Sequence, residues 1–318
     1  MIKSIPITAG TAILLLLFSC TKQSAPSTSP PGTPDTVVLN PPRVGYKDTI
    51  SMTDNNNMLP GNPTMAMPDS TFENNYLLNQ TYYIAAYSRS RGIPVWTSWH
   101  LESGDIGGAG RQDNFRPYPY LPVGWYQVNA GSYKGSVTGF DRGHNCPSGD
   151  RTSSQTANGS TFYMTNMIPQ ASSLNQGPWE GLEDYIRTSL IGSSQEAYII
   201  MGSFGSGGLS ANQADTASTL DSGRITVPAK VWKVVLVLPK GNNDLSRINA
   251  NTAVLTVNMP NINTLYSTTA TGKKEWQNYL TTIDALEAEA RLHGVPLRLL
   301  SNIPPAIASA LKSKRYKP

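Results

Sequence analysis

The residues best equipped for chemistry gather in the middle of the chain. His144 closes the tetrapeptide Asp141-Arg142-Gly143-His144, and Asn175, Glu183 and Arg187 follow it, with Trp179 and Leu182 in between. An imidazole can serve as a general base near neutral pH. An amide oxygen is a hard ligand that suits a hard cation. A carboxylate can organise water, and a guanidinium can grip an anion through two parallel hydrogen bonds. The histidine, the asparagine and the glutamate therefore read as a base, a hard-metal ligand and a water-organising carboxylate. Rarity narrows the choice. The chain holds three histidines (His100, His144, His293) and two cysteines (Cys20, Cys146). Any catalytic imidazole is one of those three, and a Cys-rich zinc module or a disulfide framework is excluded.

Each residue also has a plainer reading. Glu183 stands four residues before Arg187, the favourable order for a surface ion pair on a helix. Asn175 alone would be a helix cap, and His144 alone a structural histidine. His100 and His293 have no partner in the pattern and read as structural or exposed. Cys146 reads as a packed thiol rather than a nucleophile. The basic tail Lys312, Lys314, Arg315 and Lys317 reads as a solvated terminus.

Elements must hold these groups in place. Residues 82–87, 94–101, 196–201, 224–227, 231–238 and 252–257 are rich in aromatic and β-branched side chains and read as strands. Helical periodicity appears at Trp179, Leu182, Ile186 and Leu190. It returns at Trp276, Tyr279, Leu280, Ile283, Leu286 and Leu292, and a short final helix is expected over residues 305–312. At about 3.6 residues per turn, Asn175, Glu183 and Arg187 share one side of the first helix, at the border of its core-facing stripe. Pro178 belongs in the first turn, where its missing N–H costs nothing, which puts Asn175 at or just before the helix start. Strands come in clusters with helices between and after them, so the expectation is a mixed α+β fold.

These motifs resemble the DNA/RNA non-specific endonucleases, the ββα-metal nucleases with a DRGH signature. Besides the tetrapeptide, the chain carries Thr165-Asn166-Met167-Ile168-Pro169-Gln170, Leu174-Asn175-Gln176-Gly177 with Trp179, and Leu182-Glu183 with Arg187. Residues 57–66 and 95–101 look like the family's opening segments. Ile199-Ile200-Met201-Gly202, Val227-Pro228, Trp232-Lys233-Val234-Val235 and residues 276–289 look like its C-terminal half. The resemblance implies a mainly antiparallel sheet flanked by helices, with a ββα-metal active-site motif. It implies DNA and RNA as substrates and phosphodiester hydrolysis leaving 5′-phosphates, and it points to no protein partner. By the same resemblance His144 is the general base. Asn175 is the only protein ligand of a Mg²⁺ ion, with Mn²⁺ or another divalent cation as alternatives. Glu183 orients water of the cation's shell, Arg187 and Arg111 clamp phosphate, and Arg142 contacts phosphate or holds the loop. Asp141 and Asn166 act through hydrogen bonds to those groups. The rival class is a non-catalytic surface lipoprotein that binds nucleic acid or glycan on the same fold.

The flanks address location. Lys3 precedes an apolar run from Ile5 to Phe18 that ends in Ser19-Cys20. A positive residue before an apolar stretch of about 7–15 residues is a secretion signal, too short to span a bilayer. Cys20 at the cleavage position resembles a bacterial lipobox, which implies lipidation there. Residues 1–19 are thus expected to be a lipoprotein leader, and residues 20–56, rich in Pro, Ser and Thr, an extended tether. Residues 57–318 are expected to be one endonuclease domain, anchored at the outer membrane or cell surface through Cys20. Of the 318 residues 14% are charged, against a usual share of about 25%. That composition excludes a coiled coil, a basic-tail protein and a multi-pass membrane protein. A net charge of +4 cannot by itself argue for nucleic acid. It favours a nuclease that relies on a metal ion and a few local arginines over a broadly basic surface.

Overall fold

Apolar alternation in six strands builds the central sheet. They are β1 (Tyr76–Asn79), β2 (Ile84–Ser88), β3 (Ile93–Leu101), β6 (Gln195–Phe204), β9 (Lys230–Pro239) and β10 (Ala253–Pro260). All neighbours pair antiparallel in the order β1-β2-β3-β6-β9-β10. A two-stranded ribbon joins β4 (Phe140–His144) to β5 (Met167–Ala171), and a short hairpin joins β7 (Thr219–Leu220) to β8 (Ile225–Thr226). The computed structural model describes residues 54–318. The expected leader, Cys20 and residues 20–53 of the expected tether lie outside the described residues. Residues 54–56 bond to the domain: Asp54 accepts the Asp244 N–H at 3.0 Å, and the Asn55 N–H donates to the Tyr198 hydroxyl at 3.1 Å. No helix among the described residues is long and apolar enough to cross a membrane.

Both faces of the sheet are buried, because successive side chains point to opposite sides. One face carries Trp99, Leu101, Ile199, Met201, Val231, Val235 and Leu255 and packs against the β4–β5 ribbon and the helix that follows it. The other carries Trp96, Tyr198, Ile200, Trp232, Val234 and Leu236 and packs against Met58, Leu59 and helices Ile283–Leu292 and Pro305–Lys312. This is the expected mixed α+β architecture with a mainly antiparallel sheet. The expected strands at 82–101, 196–201, 231–238 and 252–257 form the scaffold; β1, which lacked a pattern of its own, completes one edge.

Two helical expectations need correction. The periodic stretch from Trp276 to Leu292 is not one helix. A 3₁₀ segment, Gly272–Tyr279, stops at Leu280, and Ile283–Leu292 starts afresh. The Thr281 N–H donates to Thr256 O at 2.9 Å, and the Thr282 hydroxyl caps the new helix by accepting from Ala285 N at 3.2 Å. A sheet contact and a threonine cap thus override the continuous period. The second correction concerns residues 172–191. Helical backbone begins at Ser172 rather than near Asn175, widens to π-type turns at Asn175–Trp179, and tightens again at Glu180–Tyr185. Gly177 leaves helical geometry (φ −107°, ψ −113°) and Pro178 follows it inside the segment. Proline cannot donate the next helical hydrogen bond, so the kink falls beside Asn175.

Candidate active site

The β4–β5 ribbon and the kinked helix at 172–191 meet over a cleft of about 310 Å³. Arg111, Arg142, His144, Asn175, Glu183 and Arg187 all line it, together with Ser148 and Gly149. The six residues expected to touch substrate or cation are therefore brought together. Asp141 and Asn166 brace them from behind.

Pairing in the ribbon sets His144 opposite Met167 and Gly143 opposite Ile168. Glycine is required at 143: a Cβ there would stand 2.2 Å from the Gln170 side-chain oxygen. Asn166, fully buried, fastens the chain just past the histidine. Its amide oxygen accepts the Cys146 N–H at 3.0 Å, and its amide nitrogen donates to the carbonyls of Cys146 and Thr161, both at 2.9 Å. Asn145 ties the same turn to β3 through Thr97 Oγ1 at 3.1 Å. Cys146 is a buried free thiol whose pKa burial pushes up, as expected of a packing residue.

The His144 ring stands edge-on to Phe162 at 4.9 Å between centroids and 5.8 Å from Phe115. Its Nε2 is enclosed and finds no hydrogen-bond partner among the described residues. Burial, then the nearby charges of Arg111 and Arg142, lower its pKa to about 3. The imidazole is therefore neutral at physiological pH.

Asp141 explains the orientation of Asn175. One carboxylate oxygen accepts from Asn175 Nδ2 at 2.9 Å and from Gln176 Nε2 at 2.8 Å, while the other accepts from the Ser172 hydroxyl at 2.9 Å. With its NH₂ committed to Asp141, Asn175 has its amide oxygen left for another partner.

Glu183 and Arg187 are not simply a solvated pair. Arg187 donates to Asp150 at 2.8 Å and to Asp184 at 2.5 Å. Lys233 Nζ lies 3.3 Å from Glu183 Oε1. Burial raises the Glu183 pKa, against the pull of Lys233 and Arg187. Arg111 donates to Ser148 and Asp113, each at 2.7 Å, and its guanidinium lies 4.9 Å above the Phe162 ring. Arg142 stacks 3.8 Å above Phe115.

Four residues outside the expected set shape the site. Phe115 and Phe162 wedge the imidazole and the two arginines. Asp150, almost fully buried, accepts from Arg187 and, through its other oxygen, from Trp99 Nε1 at 2.9 Å. Lys233 reaches Glu183 from the middle of β9. Only Lys233 had a local signal, a charge inside the apolar run of residues 231–238.

Two other places carry no such chemistry. A larger open groove of about 740 Å³ runs past residues 189–195 and 247–253 and shares none of these groups. His100, Glu196 and Asp244 set three ligand atoms within 4.8 Å of one another. Arg247 pairs with both carboxylates, and the Tyr198 hydroxyl donates to Asp244. A guanidinium therefore already occupies both carboxylates of that cluster. His100 is the structural histidine expected, and His293 is exposed and stacked on Phe204 at 5.1 Å.

A neutral imidazole, an amide oxygen and three guanidinium groups around one cleft suit the hydrolysis of phosphate esters. The profile of the DNA/RNA non-specific endonuclease family matches residues 60–304, and the chain belongs to that family. It is similar to a protein named Nuclease from Nostoc sp., with 39% identity over 86% of this chain and 89% of that one. It is also similar to mitochondrial endonuclease G from Homo sapiens, 31% identical over 52% of this chain and 56% of that one. In the latter comparison it spans about half the relative's length. The fold matches that seen in the crystal structure of the EndoG/EndoGI complex, with a TM-score of 0.59 at 18% identity, covering 78% of this chain and 91% of that one. The chain is thus a metal-dependent endonuclease of DNA and RNA.

Proposed function

We propose that this endonuclease uses His144 as general base, Asn175 as the protein ligand of Mg²⁺, and Glu183 with the three cleft arginines to orient water and phosphate. One observation carries the reading: the cleft joins an unprotonated imidazole to an amide oxygen whose NH₂ is already bound. The residues fit the cation. Mg²⁺ prefers oxygen, keeps several waters, and is commonly held by few protein atoms beside a phosphate. No cysteine thiolate or second histidine lines the cleft to draw a softer metal. When bound, the ion supplies electrostatic stabilisation of the charge that grows on the phosphate and the departing oxygen. His144 takes the proton of a water as that water attacks phosphorus. Glu183 accepts a hydrogen bond from water and fixes its direction. Arg111, Arg142 and Arg187 bind phosphate oxygens and lose nothing to reorganisation, because aromatic rings and carboxylates already hold them. The bond to the 3′ oxygen breaks, leaving a 5′-phosphate.

The purified full chain should cut plasmid and RNA with Mg²⁺ and stop with excess chelator. His144→Ala should lose several orders of magnitude in rate while melting normally. A His144→Ala protein as active as the wild type ends the base assignment. Secretion and anchoring through a lipid on Cys20 belong to the same proposal, supported by the apolar run that ends at that cysteine. Radiolabelled lipid should enter the wild type and not Cys20→Ala; an unlabelled wild type rejects the anchor.

A further inference from the structure

We propose that Lys233 is a positioning residue, a buried ammonium clamped between two indole rings that holds the Glu183 carboxylate at the cleft. The inference rests on the reading of Glu183 as the group that directs water. Residues 231, 233, 235 and 237 of β9 point to the face that carries the site, and three of them are valine. Lys233 replaces an apolar side chain in that row and is fully buried. Its Nζ lies 4.6 Å from the Trp179 ring and 5.7 Å from the Trp99 ring. At 3.3 Å it meets Glu183 Oε1, the one carboxylate oxygen it pairs with.

Stability alone does not account for a lysine here. Replacing a buried ion pair by apolar residues of similar volume is often neutral or stabilising, because desolvation consumes the Coulombic gain. What the pair supplies is a fixed direction. Trp179 lies on the same helix as Glu183, Trp99 on β3, and Lys233 on β9, so the ammonium ties that helix to two strands of the rigid sheet. With Oε1 held by Lys233, Oε2 is left for water in the cleft. The cation–π contacts remove the freedom that a flexible four-carbon stem would otherwise have.

The test is a mutant cycle on the full chain with plasmid DNA at saturating Mg²⁺. It uses Lys233→Met, Lys233→Arg, Glu183→Gln and the doubles. Lys233→Met should lower kcat about 10- to 100-fold, the usual cost of losing a group that orients an active residue, and leave the KM for DNA unchanged. Lys233→Arg should recover part of the loss. Adding Lys233→Met to Glu183→Gln should cost nothing more, because the lysine acts through that carboxylate. Additive losses, or a Lys233→Met enzyme with wild-type kcat beside an impaired Glu183→Gln, overturn the inference and leave the role of Glu183 standing. A Glu183→Gln enzyme with wild-type kcat overturns that role, and the inference with it. Should Lys233→Met fail to fold, Lys233→Arg alone and combined with Glu183→Gln supplies the same comparison.

Discussion

Replacing Asp150 by asparagine should harm this enzyme more than its place in a loop suggests. The Asp150 side chain is 4% exposed, and each of its oxygens is used: Oδ1 accepts from Arg187 at 2.8 Å and Oδ2 from Trp99 Nε1 at 2.9 Å. Asparagine offers one acceptor. Its NH₂ must then face either an indole N–H or a guanidinium N–H, donor against donor. The Arg187 charge, itself only 18% exposed, also loses its best-buried partner and keeps Asp184, which is 55% exposed. Breaking a buried pair by removing one partner costs about 3–5 kcal/mol. At about 2–4 °C per kcal/mol for a domain of this size, Tm should fall by about 6–20 °C. The KM for DNA should rise as well, because Arg187 is no longer held rigidly at the cleft. Scanning calorimetry of both proteins at one scan rate, with initial rates on plasmid at 25 °C, measures both effects. A fall in Tm of under about 2 °C would falsify the claim that Asp150 is an irreplaceable double acceptor.

Three further outcomes follow from the site. Asn175→Ala should raise the Mg²⁺ concentration for half-maximal rate about 10- to 100-fold, and an unchanged metal titration removes its ligand role. His144 is held at about 3, below the ordinary imidazole value of about 6.5. The unfolded chain therefore binds the proton more readily between those values, so this group's contribution to stability is complete above the ordinary value and shrinks as pH falls toward about 3. The acid limb of kcat/KM, which reports the free enzyme, should fall below the ordinary imidazole range; a limb at that value contradicts the burial argument. Gly143→Ala drives a Cβ against Gln170 and should destabilise by about 1–3 kcal/mol, as overpacking does. A thermal melt identical to wild type shows that the ribbon yields freely there.

The scaffold was largely legible because β-strand chemistry is local. Val231, Val235, Leu236 and their neighbours are apolar on both alternations, as a strand buried on two faces must be. The residues that line the cleft were legible through motif order. Asp150 was not: its value lies in Trp99 and Arg187, which are distant in sequence. Phe115 and Phe162 stayed silent for the same reason, since an aromatic in a loop has no periodicity to mark what it touches. The break after Tyr279 was hidden because Thr281 and Thr282 leave the apolar period intact and bring no glycine or proline to mark a stop. Only the meeting of Thr281 with β10 ends the first segment. Lys233 was the missed clue, a charge where alternation demands an apolar residue.

All six cleft residues of the proposed catalytic set lie in one connection. β3 and β6 are hydrogen-bonded neighbours, yet residues 102–194 run between them and supply Arg111, the ribbon and the kinked helix. The entropy of closing a loop grows only with the logarithm of its length, so two adjacent strands tolerate this long excursion at small extra cost. The excursion in turn covers one apolar face of the sheet through Met167, Ile168, Leu174 and Trp179, so its detachment exposes that face. The enzyme's working lifetime is accordingly tied to how firmly Trp99, Asn145 and Lys233 fasten that excursion to the sheet.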